Sequence, residues 1–411
     1  MPSDRTALDL ADRWLSEGAG ELVGWRRRLH AYPEVAFDEH RTSDFIFSTL
    51  QSLGFSPRRM SIGTGVICDL GPGPSYVALR ADIDALPLPD HKQVPYASIR
   101  DGVCHACGHD AHTAMLLGVA ASLSPDIRLP GSVRLIFQPA EERMPGGAMA
   151  AVRDGALDGV AEIFALHCDP KLDSGLVGLR AGPITAAFHQ ITIHLSGPGG
   201  HTARPHLTSD VVYALGKLIT ELPGLLSRRV DPRSALSLVW GAVSAGYAAN
   251  AIPPTGLLRG TLRMLDPELW LDLESTVLEL VDQIVAPTGA TTNIEYDRGL
   301  PAVDNDSVLV AVQTRAAITA LGPQAVTDSP QSMGGEDFAW YLQSVPGAMA
   351  RLGVRTPGTE GGDLHQSNFD IDESALAVGV RLTAAILDET WNVGVRSAPN
   401  LRPDGTARPI S

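Results

Sequence analysis

Two adjacent carboxylates, two cysteine–histidine pairs and an imidazole on a glycine-rich turn are the residues here whose types suit metal-assisted chemistry. In Cys107-Gly108-His109 a glycine lets the backbone bend so that a thiol and an imidazole can converge. A thiolate beside an imidazole favours zinc, while a mixed nitrogen and oxygen set also admits manganese, cobalt or nickel. QPAEE ends in Glu141 and Glu142, and neighbouring side chains on a strand point in different directions. That suits a division of labour, one carboxylate on a metal and the other on a water as general base. RADIDALP carries Asp82 and Asp84, and ALHCDP carries His167 and Cys168. SGPGGHTARPH presents His201 where a positioned imidazole can stabilise an oxyanion. Asn250 in NAIP, with Arg259 and Arg263 in RGTLR, could hold a carboxylate. MGGEDF (Glu336, Asp337) and LHQSNFDIDE (His365) add a last cluster.

Each feature also has a plain structural reading. Acids and histidines at strand ends are common turn formers, two glutamates before a loop can be merely solvated, and a histidine among Gly and Pro is often a loop residue. Cys104 and Cys107 form a CxxC, a spacing used by redox pairs and by half of a structural zinc site. A redox pair would open a helix in a much smaller βαβ context, and a structural zinc site would need a second close cysteine pair, which the sequence lacks. Recurrence favours the metal reading: the runs that read as strands end in metal-type residues again and again, and active sites of parallel sheets gather at such ends. His112, three residues after His109, is as readily a packing or substrate-side residue as a ligand, so it stays outside the set.

The elements that must position these groups follow from periodicity. LVGWRRRLHAYPEVAFDEH and SDFIFSTLQSLGF carry apolar residues at three-and-four spacing and predict helices, the second stopped by Gly54. TGVICDLG, YVALRADIDALP, VRLIFQPAEE and EIFALHCDP predict buried strands, alternating with helices at HDAHTAMLLGVAASLS and GGAMAAVRDGALD. That order predicts an α/β domain with a mainly parallel sheet. From FHQITIHLSG the rhythm becomes βαββαβ-like, as expected of a second, smaller α+β domain of roughly one hundred residues. The expected organisation is a catalytic domain in two parts, 1–185 and 297–395, interrupted by an inserted domain at 186–296. Residues 396–411 are Pro-rich and polar and are expected to be disordered.

Composition bounds the function. At 411 residues two domains are the natural expectation. A net charge of −15 argues against a nucleic-acid binder, which needs a basic face, but leaves room for a locally bound carboxylate ligand. MPSDRTALDLADRW has no basic or apolar leader character, and no apolar run is long enough to span a bilayer. With four cysteines (Cys68, Cys104, Cys107, Cys168), this predicts a reducing compartment, the cytoplasm, and no membrane partner.

Taken in order, RADIDALP, HACGHDAH, QPAEE, the LH of ALHCDP, GPGGHTARPH, NAIP, GTLR, SMGGEDF and LHQSNFDIDE make the chain resemble the aminoacylase/carboxypeptidase-type metallopeptidases. The nearest branch is that of hippurate, N-acyl-amino-acid and auxin-conjugate hydrolases. The likeness runs from WRRRLHAYPE to FDIDESAL, nearly the whole chain. It implies hydrolysis of the amide bond of N-acyl amino acids or related small amides at two divalent metals, zinc or manganese first, with cobalt or nickel as alternatives. The implied ligands are Cys107, His109, Glu142, His167 and His365, with Glu141 as general base. His201 would act on the substrate carbonyl from the partner subunit of a homodimer or dimer of dimers, and Asn250 and Arg263 would bind the substrate carboxylate. Asp84 would orient a ligand, as metal-bound imidazoles usually require. Gln366 and Ser367 stand where relatives often have Thr-Pro, and Thr202 where Ala is common; all lie where substrate preference could change. A dipeptidase or carboxypeptidase with the same centre is the nearer alternative. A non-catalytic amide-binding protein is the further one, and its hallmark would be loss of Glu141, which is present.

Overall fold

The computed structural model describes residues 5–73, 76–125 and 129–392. The chain divides into two compact units, Met1–Gly182 with Asp304–Pro330 and Asp337–Ser411, and Pro183–Val303 with Gln331–Glu336. The Pro-rich tail lies outside the described residues.

The first unit is built on an eight-stranded sheet. Its order is Arg58–Arg59, Val66–Leu70, Val133–Gln138, Val77–Asp82, Glu162–Asp173, Gly347–Arg355, Val177–Leu179 and Val326–Asp328. The four central strands pair in parallel, and antiparallel neighbours join at Val66–Leu70 and Val177–Leu179, so the sheet is mainly parallel. Val77–Asp82 and Val133–Gln138 are buried along their whole length, as strands covered on both faces must be. Helix His109–Ser122 is buried at every position and packs on helices Ala7–Ala31 and Ser374–Asn392. Past its polar first turn, where His109, Asp110 and His112 have partners of their own, the stretch Ala114–Ala121 is apolar on every side, as such an interior requires.

Two details differ from the sequence expectation. The helix expected to run through YPEVAFDEH ends at Ala31, and Tyr32–Glu39 continues without helix until His40. Pro33 restricts the backbone before it and cannot donate, and Phe37 sits at φ 67, outside the helical region. At its other end this helix begins at Ala7, well before Leu22, capped by a reciprocal Thr6–Asp9 box.

The second unit holds a four-stranded antiparallel sheet in the order Ser237–Ala245, Thr255–Met264, Ala187–Ser196, Thr291–Arg298. Helices Val211–Arg229 and Pro267–Val285 pack on each other and against one face. Alternation places Leu258, Leu262 and Met264, with Ile191, Ile193 and Leu195, on the buried face. Ser237–Ala245 is an edge strand without a charged residue, and Val239 (63 %) and Val243 (58 %) are exposed on it. No described helix is long and apolar enough to cross a membrane. All four cysteines are buried and free.

Candidate metal centre

The segments that follow strands Val77–Asp82 and Val133–Gln138 bring the expected groups together with His167. That residue lies within Glu162–Asp173 and not at its end as the sequence pattern predicted, because pairing with Gly347–Arg355 carries the strand on to Asp173. Gly108 caps helix His109–Ser122 at φ 88, and a Cβ there would stand 2.8 Å from Cys168 Sγ. Only glycine fits on both counts, and the turn it makes sets Cys107 and His109 on one side. Ligand-type atoms lie within 4.8 Å of one another in three overlapping trios: Cys107/His109/His167, Cys107/Glu142/His365 and His109/Glu141/Glu142. The five expected ligands and Glu141 therefore form one continuous cluster. His365 lies last along the chain and is joined to the cluster by its backbone, whose N–H donates to Ala106 O at 2.8 Å. It adopts φ 62, a strained conformation for a non-glycine residue and one often kept at functional sites.

Hydrogen bonding decides which ring nitrogens are available. His109 Nδ1 lies 2.9 Å from the Asp84 carbonyl, and His167 Nδ1 lies 2.8 Å from the Cys168 carbonyl. A carbonyl only accepts, so both rings carry a proton on Nδ1 and turn Nε2 into the cluster. His109 Nε2 is buried without a hydrogen-bond partner, and His167 Nε2 lies 3.6 Å from Cys107 Sγ. Glu142 Oε1 lies 3.2 Å from His365 Nε2 and 3.9 Å from His109 Nε2. His112 is arranged differently. The Cys168 N–H donates to its Nε2 at 2.8 Å, so Nδ1 holds the proton and donates to Asp82 Oδ1 at 2.6 Å. With both nitrogens taken, His112 ties the middle of strand Glu162–Asp173, where His167 sits, to Asp82 and has no lone pair for a metal.

Two buried acids support the cluster. Asp84 Oδ1 lies 3.3 Å from His109 Nδ1, and its Oδ2 accepts the Glu142 N–H at 2.9 Å. Asp82 accepts from Arg80 at 2.7 Å, and Arg80 also reaches Asp337 at 2.8 Å. Asp337 in turn accepts from Gln138 and from the Ala148 N–H, so the acid of MGGEDF ties strand ends together.

The electrostatics call for cations. Burial alone would lower the His109 pKa, yet the charge of Asp82, the hydrogen bond and charge of Asp84 and the charge of Glu142 push it up to about 10. Burial and the negative charges of Glu142 and Glu141 push the Cys107 thiol well above its ordinary range. Burial, assisted by the positive charge of Arg351, holds the His167 ring neutral, the form that ligates. A thiol, two oriented imidazoles and a carboxylate in so negative a pocket fit divalent metals, whose charge would release the thiol proton.

His201, Asn250 and Arg263 belong to the second unit. Gly200–His201 pairs with Ala251–Ile252 in a two-stranded ribbon, and the Thr202 N–H donates to Asn250 O at 3.3 Å, so His201 and Asn250 are neighbours on one exposed turn. The Ala203 N–H donates to His201 Nδ1 at 3.0 Å, which leaves the proton of the neutral ring on Nε2, facing outward as a donor. Arg263 lies over the Phe188 ring at 5.4 Å and donates to Met333 O at 2.5 Å, so part of its fork is already used.

Residues 78–389 match Peptidase family M20/M25/M40. The chain belongs to this family. M20 peptidases that resemble it include a dinuclear metal-binding peptidase of Bacillus subtilis, whose crystal structure superposes with a TM-score of 0.81 at 32 % identity, covering 92 % of this chain and 99 % of that one. N-acetyl-L-cysteine deacetylase of Bacillus subtilis is 39 % identical over 87 % of this chain and 85 % of its own length. A putative glutamate–cysteine ligase of Rhodococcus jostii is 48 % identical over 89 % of this chain, which spans only 46 % of that protein's length. Family and geometry together make this chain a hydrolase that works with two divalent metals.

Proposed function

We propose that the chain hydrolyses N-acyl amino acids to a carboxylic acid and an amino acid, with the metals held by Cys107, His109, Glu142, His167 and His365. The observation that carries this is the convergence of two Nδ1-anchored imidazoles, a buried thiol and Glu142 beside a second glutamate. Bound there, the ions supply Lewis acidity toward water and the amide carbonyl. Glu141 takes a proton from the attacking water and delivers it to the leaving nitrogen. The Nε2–H of His201 donates to the carbonyl oxygen as charge develops, and Asn250 and Arg263 receive the substrate carboxylate. Asp84 holds His109 and the Glu142 backbone in register. The donor set favours zinc through its thiolate and accommodates manganese. Four buried free thiols support a reducing compartment such as the cytoplasm.

We further propose that residues 186–296 form a dimerisation domain and that His201 serves the partner subunit's site. The support is the Ser237–Ala245 edge, whose open backbone and apolar residues carry none of the charges that normally discourage pairing.

Reconstitution with zinc, manganese, cobalt or nickel, followed by assay on N-acetyl amino acids and on free dipeptides, tests the substrate class. Faster turnover of the acylated set is expected. A preference for dipeptides would reassign the enzyme to peptidase work, and inactivity on both would refute the reading.

A further inference from the structure

The turn that carries both glutamates contains a fully buried Ala140 at φ 56, a region costly for any residue with a Cβ. Such a conformation persists only where its surroundings impose it. One group in position to do so is Glu39, at the start of helix His40–Ser52 and 0 % exposed, whose Oε1 accepts the Ala140 N–H at 2.8 Å. Two residues further on, the Glu142 N–H donates to Asp84 Oδ2 at 2.9 Å. Buried carboxylates thus take the backbone N–H groups on either side of Glu141, and they come from segments far apart in sequence. Glu39 is itself anchored by the helix it starts, since its carbonyl accepts the Ser43 N–H at 2.9 Å.

We propose that Glu39 is a positioning residue for the reaction: by holding the Ala140 turn, it aims Glu141 at the water and Glu142 at the metals. The inference rests on the roles assigned above to those two glutamates. Burial, and after it the charge of Asp84, push the Glu39 carboxyl up to about 7. Its carbonyl-type oxygen can accept the Ala140 N–H with or without a proton on the group, so the hydrogen bond and not the charge is what the turn needs. Glutamine should therefore substitute. Leucine, which cannot accept, and aspartate, one methylene short, should not.

The test compares Glu39→Gln, Glu39→Leu and Glu39→Asp in the metal-loaded enzyme, measuring kcat and KM on an N-acetyl amino acid. Metal affinity by chelator competition and the thermal midpoint are measured alongside. Glu39→Gln is expected within about threefold of the parent in kcat. The other two should lose about thirtyfold to a hundredfold in kcat, the scale of an ångström-sized misplacement, with KM changed by less than about threefold. They should also bind metal about tenfold more weakly, the scale for loss of a group that supports a ligand. A folded Leu variant with parental kcat and metal affinity would overturn the proposal, as would a folded Gln variant as impaired as Leu. If the Leu variant does not fold, Asp against Gln decides in the same way. A parent inactive on every N-acyl substrate would sink the N-acyl-amino-acid reading alone, and the metal affinities of the three variants would still decide on Glu39.

Discussion

Asp84→Asn probes how the metal centre is held, because a single carboxylate there serves two ligands. Its Oδ2 accepts the Glu142 N–H at 2.9 Å, while Oδ1 stands 3.3 Å from His109 Nδ1. An asparagine offers one acceptor and one pair of donors. With its oxygen toward the Glu142 N–H, its NH2 meets the proton on His109 Nδ1; turned round, the NH2 meets the Glu142 N–H. Either way a donor faces a donor, and the negative charge is gone. A hydrogen bond to a charged group contributes about 1.5–3 kcal/mol, and about 1.4 kcal/mol is a factor of ten in binding. The expected loss is therefore about tenfold to a hundredfold in metal affinity. It should not be total, because the Asp84 carbonyl still holds His109 Nδ1 at 2.9 Å. Titration of the metal-free protein with zinc against a chromophoric chelator reads the constants, and the melting temperature of the metal-free form checks the fold. Parental affinity for both metal equivalents would refute the argument.

The remaining predictions concern catalysis, acid stability and assembly. Glu141→Gln should keep both metals and lose at least about a hundredfold in activity, whereas Glu142→Gln should lose metal; exchanged phenotypes would reverse the two roles. His189 is buried against Trp270, with Nε2 facing the Trp270 carbonyl at 3.0 Å, and burial pulls its pKa from 6.5 down to about 4 despite that bond. Protonation therefore favours the unfolded chain. Stability is complete above about pH 6.5 and declines toward pH 4 by up to about 3 kcal/mol. Urea unfolding across that range should show the slope flattened in His189→Gln, and an unchanged slope there would exclude His189 as its source. Val243→Lys should shift sedimentation toward monomer and depress activity with it. Mixing inactive His201→Ala and Glu141→Gln subunits should restore up to about half of parental activity per mixed dimer, and verified heterodimers that stay inactive would rule out action in trans.

Much of the centre was legible because a parallel sheet collects its strand ends. Asp84 and Glu142 each follow the end of a buried strand, and His167 lies within Glu162–Asp173, past which the apolar run gave no sign that the strand continues, so three local patterns still pointed to one place. Gly108 could be read as the hinge between two ligands because its neighbours were a thiol and an imidazole. What periodicity could not show was how each polar group is used up. His112 has the spacing of a ligand, yet Asp82 and the Cys168 N–H consume both its nitrogens. Arg26, one of three successive arginines on the first helix, is fully buried and paired with Asp110 and Asp370, partners that come from distant segments. Glu39 falls inside the run expected to continue the first helix, and nothing local marks its link to Ala140, about a hundred residues away. Tyr32–Glu39 kept enough helical spacing to mislead, since an apolar pattern carries no record of a left-handed residue such as Phe37.

The order of the large sheet sets a timetable for biosynthesis. Gly347–Arg355 lies between Glu162–Asp173 and Val177–Leu179, pairing with both. Until that late segment leaves the ribosome, the two earlier strands have open edges facing an unfilled slot, and Val326–Asp328 is attached only to Val177–Leu179. The second unit, nearly all of it continuous in sequence, has its four strands in hand much sooner. The nascent chain therefore carries a completed smaller unit while the larger one waits, and the waiting edges are the kind that recruit other chains. Premature termination before Gly347 should yield aggregates rather than a shortened enzyme, and chaperone demand should peak in the interval before the central strand emerges.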